Sequence, residues 1–204
     1  MAIYTKLNEE QINNILLNYK LGNLKKFEGI KDGIENTNYL IETEKGKFIL
    51  TIYEKRVNEE DLPFFSKLML ELSKKNFICP KPISNKNNSF ISSHDDKKFM
   101  IVSFLEGKCK NNLSPPECKI IGKEIAKLHQ ITKDFNFKRE NNLSVKSWRN
   151  IFAQVKDKCN KIHPDLPKLI EANLINIEKE WPKNLPSGII HSDLFNDNIF
   201  FKNN

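Results

Sequence analysis

The run His191-Ser192-Asp193-Leu194-Phe195-Asn196-Asp197-Asn198 closes six residues before the last residue of the sequence. A carboxylate beside an alcohol orients it and accepts its proton, which is most of what hydroxyl attack on a phosphoryl group asks of a protein. A carboxamide oxygen is a hard donor suited to Mg²⁺. The H-x-D-x-x-x-x-N spacing therefore points to phosphoryl transfer, with Asp193 as the catalytic base and Asn198 as the metal ligand. His191 completes the motif and is expected to brace the loop backbone rather than move protons. The competing structural reading is a polar turn between two short strands, Gly188-Ile189-Ile190 and Ile199-Phe200-Phe201. What favours chemistry is the order of the elements upstream.

Apolar residues at helical spacing, Ile12, Ile15, Leu16 and Tyr19, predict a helix over 8–19, with Thr5-x-x-Asn8 as a possible cap. Strands are expected at 27–30, 37–42 and 47–53, the last two joined by a turn at Glu44-Lys45-Gly46. Phe64, Phe65, Leu68, Met69 and Leu72 predict a helix over 61–75, with Pro63 in its first turn, where a missing N–H costs nothing. Strands at 89–92 and 99–104 flank a turn at His94-Asp95-Asp96. Leu105-Glu106-Gly107 reads as a hinge. Helices follow over 116–132, with Ile120, Ile121, Ile125, Leu128 and Ile131 on one side, then over 144–160 and 166–181. Three strands, a helix and two strands are expected to form a small lobe, 1–105. Residues 106–204 then begin a helical large lobe that carries the catalytic loop.

Between the first two strands lies Gly29-Ile30-Lys31-Asp32-Gly33-Ile34-Glu35-Asn36-Thr37-Asn38-Tyr39, where backbone N–H groups could cradle phosphate oxygens. It lacks the G-x-G-x-x-G pattern, and a plain hairpin turn would look similar. Asn36 and Asn38 offer side-chain donors. The third strand carries Thr51 where a kinase aligns its phosphate-binding lysine, so no such lysine is assigned; Lys47 and Lys55 only flank the strand. Trp148-Arg149 sits where a substrate cleft is expected. Arg149 could clamp a carboxylate through its planar fork, or hold its helix in place. His129 is expected to be packed or capping.

The 204 residues, 39% hydrophobic and 29% charged, describe a globular chain. The formal charge of +7 invites a nucleic-acid reading, but Arg56, Arg139 and Arg149 are the sole arginines among 33 basic residues, and the lysines are scattered. No nucleic-acid partner is expected. Cys79, Cys109, Cys118 and Cys159 form no C-x-x-C pair, which argues against a zinc site. No apolar run approaches the ~20 residues of a membrane span, and the N-terminus has no export core, so a cytoplasmic protein without a membrane partner is expected.

Together these segments resemble the homoserine kinases of the aminoglycoside-phosphotransferase-like class, within the protein-kinase-like fold. The resemblance runs from Met1 to Phe201 and rests on the Met1–Thr5 start, Gly33–Tyr39, Phe48–Lys55, Asp61–Phe65, Cys79-Pro80-Lys81-Pro82, Phe104–Gly107, Leu143-Ser144 with Trp148-Arg149, and the catalytic loop. It implies an α+β, two-lobed fold with a small lobe of antiparallel sheet plus helix. It implies transfer of the γ-phosphoryl of ATP to the side-chain hydroxyl of L-homoserine, a step toward threonine. By the same analogy Asp193 is the base and Asn198 binds Mg²⁺. Gly33, Ile34, Glu35, Asn36 and Asn38 cover the phosphates, Ser103 to Leu105 meets the adenine, and Trp148 and Arg149 face the substrate. A kinase for choline or an aminoglycoside, and a short nucleotide-binding pseudokinase, are the alternatives. The family continues into a strand bearing a second metal-binding Asp, so this chain is expected to be an N-terminal fragment whose large lobe stops after the catalytic loop. Alone, it is expected to be inactive or weakly active.

Overall fold

The computed structural model describes residues 3–31, 33, 35–54 and 57–202. They fall into two compact units, Met1–Phe137 with Ile189–Asn204, and Lys138–Gly188. The first is built on a five-stranded sheet, all antiparallel, in the order β1-β2-β3-β5-β4. Its strands are β1 (Leu24–Ile30), β2 (Thr37–Thr43), β3 (Gly46–Ile52), β4 (Ile91–His94) and β5 (Lys97–Ser103). The β2–β3 connection is the two-residue turn Glu44-Lys45, closed by Gly46 at φ 127°, a backbone region that L side chains rarely adopt. Asp95, at φ 52°, opens the equally short β4–β5 turn.

Antiparallel pairing puts opposed residues on one face, and the period of two does the rest. Tyr39, Ile41, Phe48, Leu50, Ile52, Phe99 and Ile101 share a face and are buried, with Ile41, Leu50, Ile52 and Ile101 fully so. Helix α1 (Glu9–Leu16) covers them with Ile12, Ile15 and Leu16, and the flanking Leu7, Tyr19 and Leu21 join the same core. Asn8 and Gln11 start that helix with a reciprocal capping box. Asn8, rather than Thr5, is the cap, because Thr5 Oγ1 donates to Glu54 instead, at 2.8 Å. Polar groups that enter the core are paired. Tyr39 OH accepts from Leu7 N–H and donates to Thr5 C=O, both at 2.9 Å, and Thr43 Oγ1 donates to Leu21 C=O at 2.6 Å.

Helix α2 (Leu62–Lys74) begins with Pro63 in its first turn, as expected, and buries Leu62 and Leu72. Helix α3 (Pro115–Ile131) starts at Ser114. Its inward stripe is Ile121, Ile125 and Leu128; Ile120 lies one position off that stripe and is 56% exposed.

The second unit is a hairpin of α4 (Val145–Cys159) and α5 (Leu166–Glu180). Arg149 pairs with Glu178 and Lys156 with Glu171, so one helix climbs as the other descends. Trp148 stands edge-on to Trp181, ring centroids 5.6 Å apart, at the open end of the hairpin. Cys159, Pro167 and Leu174 are its buried apolar residues.

Two expected strands did not form. Residues 188–190 have no ladder, and 199–201 make a single bridge, Phe201 to Lys108. A strand exists through its partner's hydrogen bonds, and among the described residues none lies alongside these segments beyond that bridge. The sheet itself yields a stability prediction. Leu50→Ala should cost ~2–5 kcal/mol in urea unfolding, whereas Lys26→Ala, on exposed β1, should stay within ~0.5 kcal/mol.

Candidate active site

The catalytic run folds as a tight loop around the short 3₁₀ turn Asn196–Asn198. The Asn198 Nδ2 group donates to Asp193 C=O at 2.8 Å and to Asp193 Oδ2 at 3.0 Å. The amide thus closes the loop on the carboxylate, and among the described residues its own Oδ1 accepts no hydrogen bond. Ser192, just before the carboxylate, sits at φ 68°, in the left-handed region that a non-glycine residue enters at a cost. Asp193 is exposed, so its carboxylate is open to an incoming ligand. His191 is exposed too and makes no side-chain hydrogen bond among the described residues.

The segment after β5 holds this loop. Lys108 and Phe201 exchange both backbone hydrogen bonds, at 3.0 and 2.9 Å, and Asn196 Nδ2 donates to Asn111 C=O at 2.7 Å. Gly107 is required by closeness: a Cβ there would stand 3.0 Å from Phe200 Cβ and 3.1 Å from Phe201 O. The Lys110 ammonium lies 4.9 Å from the Phe201 ring centroid and pairs with Glu117 in the first turn of α3. That pairing, with the Ser114 hydroxyl and N–H, holds the Glu117 carboxyl down at about 2. A cavity of ≈ 420 Å³ adjoins the loop, lined by Cys109, Asn111, Leu194, Phe195, Asn196 and Asp197.

A second candidate surface is the sheet face opposite the core. There Ile30, Leu40, Ile49 and Val102 are half-buried, an apolar surface across β1, β2, β3 and β5. At its loop end Asn38 faces Thr51, whose hydroxyl donates to Asn38 Oδ1 at 2.7 Å. Of the loop residues, Gly33 has φ 92° and open space around it, Glu35 is exposed, and Asn36 Oδ1 accepts from Glu54 N–H at 3.3 Å. Ile34 and Lys55 lie outside the described residues. Ser103 N–H is committed to Lys81 C=O, whereas Leu105 N–H has no protein partner among the described residues.

Trp148 and Arg149 belong to the helical hairpin. Trp148 Nε1–H donates to Leu143 C=O at 2.8 Å. Arg149 gives Nε and Nη2 to one oxygen of Glu178, at 2.8 and 2.6 Å, which orders the hairpin and leaves Nη1 without a partner among the described residues.

Leu40, Ile49 and Val102, which the sequence reading did not single out, form this apolar candidate face; their signal was an apolar residue on β2, β3 and β5 at the parity opposite the buried one, beyond what a one-faced core needs. Glu54 was not singled out either, and no local signal marks it.

Two outcomes follow from the loop's supports. Gly107→Ala should push Phe200–Phe201 away and cost ~1–3 kcal/mol in urea unfolding, whereas Gly122→Ala, in α3 with open space at its Cβ, should gain up to ~1 kcal/mol. The depressed Glu117 carboxyl stabilises the fold above its ordinary value of 4.5, and that contribution disappears as pH falls toward about 2. Glu117→Gln should accordingly lower Tm at pH 7, and its gap to the parent should close between pH 4.5 and 2.

Known proteins place this geometry. The chain is 41% identical over 201 residues to the homoserine kinase of Methylobacterium radiotolerans and 42% identical over 201 to that of Methylorubrum populi. Each match takes in 98% of this chain and 63% of the relative, so the chain spans less than two thirds of those proteins' length. Among solved structures, a spectinomycin phosphotransferase in complex with ADP and spectinomycin superposes with a TM-score of 0.56 at 15% identity, over 98% of this chain and 67% of that one. A microcompartment-associated aminopropanol kinase follows at a TM-score of 0.52 and 14% identity, over 70% and 48%. At such identities the likeness establishes the fold: the α+β architecture of the kinase-like phosphotransferases. Residues 26–204 match the model of the phosphotransferase enzyme family, and this chain belongs to that family.

Proposed function

We propose that this chain supplies the nucleotide-binding sheet and the catalytic loop of a homoserine kinase, which transfers the γ-phosphoryl of ATP to the side-chain hydroxyl of L-homoserine. The observation that carries the reading is the Asp193–Asn198 pair, closed by two hydrogen bonds in a chain more than 40% identical to homoserine kinases along nearly its whole length.

In this reading the Asp193 carboxylate accepts a hydrogen bond from the homoserine hydroxyl and takes its proton as the new O–P bond forms. The bond from the γ-phosphorus to the β,γ-bridging oxygen breaks, ADP leaves, and the product is O-phospho-L-homoserine. The held amide of Asn198 keeps the Asp193 side chain in one orientation, so little reorganisation is needed at the moment of transfer. Adenine rests on the apolar face of Leu40, Ile49 and Val102, with the free N–H of Leu105 as its edge contact and Ser103 fixing that segment's start. Gly33, Ile34, Glu35, Asn36 and Asn38 cover the phosphates, with no lysine required from β3. Trp148 and Arg149 are assigned to the substrate, with Nη1 the guanidinium atom available for a carboxylate. His191 is assigned to the loop.

The donor set suits a nucleotide-borne Mg²⁺. Among the described residues no group of three His, Cys, Asp or Glu side chains could hold a free metal, but Mg²⁺ binds through one or two protein oxygens plus phosphates and waters. Asn198 Oδ1 would hold the ion, which neutralises charge on the transferring phosphoryl group. The division into a nucleotide-binding part, 1–105, and a substrate and catalytic part from 106 onward is part of the proposal.

The test is homoserine-dependent release of ADP, followed at high protein concentration so that the weak turnover expected of this chain alone is measured above background, by the protein and by its Asp193→Asn variant. The expected result is a loss of ~10²–10⁴-fold in kcat with nucleotide affinity unchanged. An unchanged rate in the variant would overturn the assignment of the base. Equal or better turnover with choline or an aminoglycoside would overturn the substrate.

A further inference from the structure

Three chain segments far apart in sequence, carrying Thr5, Thr37 and Lys97, converge on one carboxylate. Glu54, just past β3, has a side chain 9% exposed and pairs with Lys97 Nζ at 2.6 Å. Glu54 Oε1 accepts from Thr5 Oγ1 at 2.8 Å and from Thr37 Oγ1 at 2.7 Å. Lys97 also donates to Thr5 Oγ1, at 2.7 Å. Thr37, fully buried, accepts in turn from the N–H groups of Tyr4 and Thr5, at 2.9 and 3.1 Å. Burial alone would raise the Glu54 carboxyl, but the hydrogen bonds from Lys97, Thr37 and Thr5 together outweigh it and hold it below the usual carboxylate range.

What this cluster grips is the returning leg of the loop between β1 and β2. Asn36 is bonded to the Glu54 N–H, Thr37 to the Glu54 carboxylate, and Asn38 to the Thr51 hydroxyl. Three consecutive side chains are therefore pinned to the end of β3. A nearly buried ion pair is weak evidence for stability, since apolar side chains of similar volume would do as well. Its distinguishing property is direction: charged hydrogen bonds fix where their partners point. We propose that Glu54 is a positioning residue, which acts through Thr37 and Asn36 to preorganise the β1–β2 loop for the phosphates of the nucleotide, without touching the nucleotide itself. The inference rests on the kinase reading above.

The experiment compares binding of Mg·ADP and of adenosine to the 204-residue chain and to Glu54→Gln, with Thr5→Val as a milder variant that removes one hydroxyl. Hydrogen exchange of residues 35–38 is followed in parallel. Because the loop meets phosphates and not the base, Glu54→Gln should weaken Mg·ADP about tenfold and leave adenosine within about twofold, with faster exchange at 35–38. Thr5→Val should shift both readouts in the same direction by less. A core variant, Ile12→Ala, should lower Tm without separating the two ligands. If ADP and adenosine weaken in parallel, or neither changes, the positioning role is overturned. Should the parent chain bind neither ligand, the nucleotide reading itself fails; exchange at 35–38 that is insensitive to Glu54→Gln would then remove the mechanical claim as well.

Discussion

The register of β2 against β3 is the constraint on which the rest of this molecule depends. A turn of only two residues, Glu44-Lys45, places Thr43 opposite Gly46 and, from there, Tyr39 opposite Leu50 and Asn38 opposite Thr51. Side chains alternate strictly along a strand, so a slip of one residue would exchange the two faces of the sheet. The buried ladder of Tyr39, Ile41, Leu50 and Ile52 would then meet water, and the Asn38–Thr51 bond would point into the core of α1. Burial of those apolar side chains, each contributing ~1.5–3 kcal/mol, makes the slipped register far less stable than the native one. The position of the candidate nucleotide face is thus a consequence of the stability of the opposite one.

A second constraint ties the catalytic loop to that sheet. β5 continues through Phe104 into the Gly107–Asn111 segment, and this segment meets the loop by backbone bonds to Phe201 and a carbonyl contact to Asn196. The absence of a side chain at Gly107 lets the two backbones approach, and the Lys110–Glu117 pair fastens the same segment to the start of α3. The carboxylate of Asp193 is oriented by contacts of modest individual strength acting in one place. Each alone is worth about 1 kcal/mol, but together they leave the loop few alternatives.

Both halves of the site share a design. Side-chain amides and hydroxyls, rather than charges, do the close holding: Asn198 on Asp193, Asn38 on Thr51, Asn36 on Glu54. The strong charges stand one step back, in Glu54 with Lys97 and in Glu117 with Lys110. In the proposed nucleotide site, neutral hydrogen-bonding groups would position phosphate oxygens without fixing a compensating ion pair in their place. On β3 the position facing Asn38 is Thr51, a hydroxyl rather than an ammonium.

The sequence alone determined the local layer of this protein. Helical spacing, turn residues and the two strand hairpins were legible because each is decided within a few residues: Ile12, Ile15 and Leu16 mark α1, Pro63 opens α2, and Gly46 closes the β2–β3 turn, although the cap of α1 proved to be Asn8 rather than Thr5. The H-x-D-x-x-x-x-N run was legible for the same reason, since Asn198 reaches Asp193 over only five residues. Other features became visible only once the chain had folded. The Glu54 cluster joins residues 17 to 49 positions away, with Lys97 at 43, and no periodicity marks such partners. The expected strands at 188–190 and 199–201 carried the right residues but had no ladder partner beyond one bridge, and a strand is a property of a pair. Arg149, which the sequence left between a substrate and a neighbouring helix, gives its fork to Glu178, because the α4–α5 hairpin brings that carboxylate within 2.6 Å. Spacing can name a chemistry, but which groups meet is decided by packing, because contact requires the whole fold to close.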